Sequence, residues 1–160
     1  MTPTTYQDLA CIAMFQFSHR DDLFELSVLN HEEPKAQSYG GTHLRISVSS
    51  CGFRGSCSAW VYAEDMQKFF ESLVELQNTS KAVAKLESTS PKEVELSVSA
   101  ANSRGYLCVS GAIGKHVFTE NGHHWHSVSF GIEFESAQLD IAISSLKPIF
   151  GLAAPDCPPN

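Results

Sequence analysis

The densest chemistry in this sequence lies at residues 123–126, where His123, His124, Trp125 and His126 follow one another. An imidazole nitrogen is a good ligand for zinc, and residues two apart on a strand share a face. His124 and His126 are therefore metal-ligand candidates, with His116 on the preceding strand pattern as a possible third. No carboxylate or cysteine is spaced to complete that set, and a metal centre also needs partners that orient its ligands. One reading is a metal-binding domain or small enzyme of unknown substrate built on residues 123–126. The other, which sets the expectation, is a solvated hairpin tip whose imidazoles take up metal adventitiously. No resident metal and no other cofactor are expected.

Cys51 and Cys57 flank a glycine-containing turn, so they could lie opposite each other within disulfide reach. Only Arg54 is near enough in sequence to lower a thiol pKa, and whether the two pair is left open. Cys11 and Cys108 fall in apolar or strand patterns and read as small buried hydrophobes. Together with Cys157 these five cysteines have the spacing of neither a zinc ribbon nor a disulfide scaffold. For catalysis the chain offers many serines and seven histidines. It has no G-x-S-x-G elbow, no H-E-x-x-H, no P-loop and no G-x-G-x-x-G. No enzymatic activity is expected.

The remaining chemistry is a surface. Glu93, Glu95, Ser97 and Ser99 alternate with Val94, Leu96 and Val98, while Ser127, Ser129, Glu133 and Glu135 alternate with Val128, Phe130, Ile132 and Phe134. A sheet covered by helices on one side leaves its other side free. An acidic, serine-rich outer face suits a basic protein partner, which makes Glu93, Glu95, Glu133 and Glu135 the candidate partner-binding residues.

These residues must be positioned by elements that the periodicity reveals. The clearest is a helix over 64–77, where Met66, Phe69, Phe70, Leu73 and Leu76 make one apolar stripe with polar residues opposite. It is expected to lie on a sheet. Strand alternation is read at 9–17, 23–29, 42–50, 55–62, 82–87, 94–100, 106–118 and 125–135. A tight turn is expected near residues 51–55, and Asn121-Gly122 predicts a type I′ hairpin turn. A second helix is expected from Ser136, taken as its N-cap, to just before Pro148. The sum is an α+β fold, a mainly antiparallel sheet of about seven or eight strands with two helices packed on it. Residues 1–150 are expected to form a single domain and residues 151–160 a flexible tail.

Composition narrows the function classes. The chain of 160 residues is 42% hydrophobic, enough to build a core without disulfides or a metal. Eighteen acidic against eleven basic residues give a net charge of −7, which opposes binding to nucleic acid or to anionic lipid. No apolar run approaches the roughly 20 residues of a membrane span. The apolar stretch 9–15 lacks the basic flank and cleavage site of a signal peptide, so a cytoplasmic protein is expected.

Five segments taken together carry a resemblance: C-G-F-R-G at 51–55, A-W-V-x-x-E-D-M-x-x-F-F at 59–70, S-P-K-E-V-E-L at 90–96, R-G-Y-L-C-V-S-G-A-I-G at 104–114 and F-G-I-E-F-E-S-A-Q-L at 130–139. Over residues 42–150 the chain resembles small bacterial proteins of the WapI-type immunity group. The resemblance implies a protein that binds and neutralises the toxic C-terminal domain of a polymorphic toxin. It carries over no individual site residues.

Overall fold

The computed structural model describes residues 11–152. Eight strands and two α-helices follow in the order β1 (Ala13–His19), β2 (Asp22–Glu32), β3 (Gly41–Ser50), β4 (Phe53–Tyr62), α1 (Ala63–Thr79), β5 (Ala84–Glu87), β6 (Val94–Ala100), β7 (Tyr106–Thr119), β8 (Gly122–Glu135) and α2 (Ser136–Leu146), with a 3₁₀ turn over Lys147–Phe150. The α+β class, the antiparallel pairing and the two helices are as the periodicity predicts. The strands do not join in one sheet, however; they form two four-stranded sheets, β1-β2-β3-β4 and β5-β6-β7-β8.

Alternation explains how these sheets close on each other. Phe15, Phe17, Phe24, Leu26, Leu44, Ile46 and Ala59 bury one face of the first sheet, and Leu86, Leu96, Val98, Val109, Ile132 and Phe134 bury one face of the second. The apolar faces meet at Phe17 and Phe134, whose rings stack with centroids 3.9 Å apart and planes within 5°. One contiguous core is drawn from both sheets and both helices.

Helix α1 contacts β3 and β4 of one sheet, β5 and β6 of the other, and α2. Its whole predicted stripe of Met66, Phe69, Phe70, Leu73 and Leu76 is buried, at about 1.5–3 kcal/mol for each large side chain removed from water. The helix ends at Ser80, which adopts φ 56° and donates its N–H to the Leu76 carbonyl, the left-handed stop usually given to glycine. Ser136 is the first residue of α2 and not its cap; Glu135 holds the cap position without a side-chain bond. The Ser136 N–H instead donates to the Gly105 carbonyl at 3.2 Å, so the loop before β7 satisfies the helix end.

Among the described residues no helix is long and apolar enough to cross a membrane. The expected strand from residue 9 begins at Ala13, and residues 9 and 10 lie outside the described chain, as do Cys157 and most of the expected tail.

Candidate functional site

The second sheet positions most of the acidic residues. Glu95 pairs with Glu87 on β5 and with Ala112 on β7; Ala112 pairs in turn with Ser129, while Glu133 pairs with Cys108 and Glu135 with Tyr106. Directly opposed residues share a face, so Glu87, Glu95, Glu133 and Glu135 all stand on the outer, solvent side, with Lys85 beside them. All five are exposed. They do not form one cluster. β8 lies two strands from β6, about 10 Å away, so Glu133 and Glu135 make one acidic patch and Glu87 with Glu95 another.

Glu93 stands apart from both patches. It precedes β6, is half-buried, and its carbonyl accepts from the Gly114 N–H at 2.9 Å and from the Cys57 thiol at 3.5 Å. Its backbone ties β4 to the second sheet, a structural task the sequence did not reveal. Glu87 was missed too: the alternation of β5 is short, and only its register with β6 brings the carboxylate to Glu95.

The histidine cluster lies on a projecting arm. β6 pairs with β7 only as far as Ile113, whereas β7 and β8 continue together to Thr119 and Gly122. In that two-stranded segment His116 pairs with Trp125, Val117 with His124 and Lys115 with His126. His116 therefore projects from the face opposite His124 and His126, and the three cannot close on one ion. The reason is the turn. Glu120 and Asn121 are its two central residues, so every even position of β7 meets an odd position of β8. The expected type I′ turn at Asn121-Gly122 does not form: neither central residue, Glu120 or Asn121, has the positive φ that type requires, and Gly122 already belongs to β8, at φ 134°. Among the described residues no group of three or more His, Cys, Asp or Glu side chains is placed to hold a metal.

On the outer face of the arm four rings touch in succession. His116 lies 4.6 Å from Trp125 and 5.5 Å from His123, and Phe118 lies 6.0 Å from His123, centroid to centroid. Phe118 is 79% exposed. Trp125 lies back across Gly114, where an added Cβ would collide with the indole ring.

The cysteines are also separated. Cys51 sits in the two-residue β3–β4 turn at φ 52°, followed by Gly52 at φ 81°, the primed-turn geometry that suits strand twist. Cys57 pairs with Ile46 deep in β4 and is buried. They are not opposite each other, and both thiols are free. Burial, and then the Glu93 carboxylate, push the Cys57 thiol above its ordinary pKa; burial, and then Glu133, do the same for Cys108, which is half-buried. Cys11, expected to be buried, is exposed.

The model of the immunity protein WapI-like family matches residues 14–151. No curated protein and no solved structure matches the chain.

Proposed function

The chain belongs to the WapI-like immunity protein family, and from that membership we propose that it protects the cell that makes it by binding a toxin domain in the cytoplasm. The protein acts by association and not by catalysis. Its partner is the C-terminal domain of a polymorphic toxin, and that domain is basic.

The observation that carries this reading is the uncovered outer face of the second sheet, with Glu87, Glu95, Glu133 and Glu135 all turned to solvent. A toxin domain that attacks nucleic acid needs positive charge to hold phosphates. Carboxylates spread over an open sheet within a chain of net charge −7 attract such a surface at long range and speed its encounter. Glu93, half-buried just before the start of β6, contributes at the margin of this face. The test is co-expression with the C-terminal domain of the toxin encoded beside the gene, scored by growth and by co-purification. Rescue together with a stoichiometric complex supports the reading; neither rescue nor association removes it.

A further inference from the structure

We propose that the β7–β8 arm, residues 114–127, is the anchor of the partner interface, and that Phe118 and Trp125 seat in an apolar pocket of a basic partner protein. This rests on the immunity reading and identifies the part of the surface that supplies most of the binding energy.

A two-stranded ribbon without a third strand is marginal in water, yet this one extends beyond β6 and presents the Phe118 ring at 79% exposure. Phe118 lies outside the buried core of the described residues, with His116 and His123 as its ring neighbours. Across the ribbon the rings brace one another, His116 on Trp125 and Phe118 on His123. Trp125 is further fixed by Gly114, whose missing side chain leaves room for the indole to lie against the backbone. Rigid aromatic side chains that are already placed lose little entropy on binding, and tryptophan is enriched among the residues that dominate interface energetics.

The register then selects the occupant. Along β8, residues 123, 125, 127, 129, 131, 133 and 135 share one face, so His123 and Trp125 lie on the same side as Glu133 and Glu135, and Phe118 and His116 join them through pairing. Anchor and carboxylates thus make one continuous surface. A second copy of this chain would bring acidic face to acidic face at net charge −7 each, and an anionic membrane would be repelled in the same way. A basic protein meets both halves.

The experiment is a binding titration of the full chain with the C-terminal toxin domain encoded beside its gene, using wild type, Phe118→Ser, Trp125→Ala, Gly114→Ala and Ile141→Ser. Ile141 is 64% exposed on α2 and serves as the control. Phe118→Ser and Trp125→Ala should each weaken binding about 30-fold or more, mainly through faster dissociation. Gly114→Ala should also weaken it although it deletes no contacting group, and Ile141→Ser should bind as wild type. Circular dichroism melts establish that each variant is folded. If wild type binds and both aromatic variants bind equally well, the anchor is wrong while the immunity reading stands. If wild type does not bind, both fall. Concentration-dependent dimerisation abolished by Phe118→Ser would overturn the choice of occupant.

Discussion

Glu95 on β6 stands directly across from Glu87 on β5, two carboxylates in register on an exposed antiparallel pair. Like charges so placed destabilise a sheet, and a protein selected for stability alone would not keep them. Glu95→Lys should therefore raise stability by roughly 0.2–1 kcal/mol while slowing association with a basic partner. Urea unfolding and stopped-flow mixing measure the two effects. A variant that is less stable and binds as fast would contradict both halves.

Phe17 and Phe134 join the two sheets. Both are fully buried, so changing either to Ala should cost about 3–5 kcal/mol. The double variant should fall short of the sum by about 0.5–1.5 kcal/mol, the coupling of a stacked pair. Strict additivity in denaturant unfolding would mean that the rings do not touch.

His31 makes stability depend on pH. Its Nδ1 lies 2.8 Å from the hydroxyl of Thr42, itself fully buried. Burial lowers the imidazole pKa, with Glu33 opposing more weakly. The unfolded chain then takes up a proton more readily than the folded one. The contribution is fully present above the ordinary imidazole value of about 6.5 and is lost as pH falls from there through the lowered folded pKa. Wild type should lose more stability than His31→Gln between pH 7.5 and 5; equal losses would show that His31 is not the titrating group.

The thiols should separate by rate. Ellman's reagent should modify exposed Cys51 within the mixing phase at neutral pH and reach Cys57 slowly, because Cys57 is buried and its pKa is raised. Mild oxidation should leave the two unlinked. A Cys51–Cys57 disulfide in a peptide map would be incompatible with their positions in the turn and opposite Ile46.

What the sequence could reveal was local. The stripe from Met66 to Leu76 identifies α1 because a helix's period is written in consecutive residues. Alternation likewise marks the buried side of each strand. It does not say what that side faces, which is why one sheet was expected where Phe17 and Phe134 bring two together. The faces of the histidines were nearly legible: any two-residue turn between β7 and β8 sets His116 against an odd-numbered residue, so the expected tight turn already excluded a shared face with His124 and His126. The Glu87–Glu95 pair and the seat of Trp125 on Gly114 depend on register and close approach, and neither leaves a periodic trace.

Under the proposed function, a basic toxin domain is drawn to the carboxylates of the second sheet. The direct measurement is the association rate with the adjacent toxin domain as a function of salt, for wild type and for a variant with Glu95, Glu133 and Glu135 all changed to Gln. Wild-type association should fall about tenfold or more between low and physiological ionic strength, and the variant should start slower and change little. If wild type and variant follow the same salt dependence, the acidic face does not steer the partner and the claim is wrong.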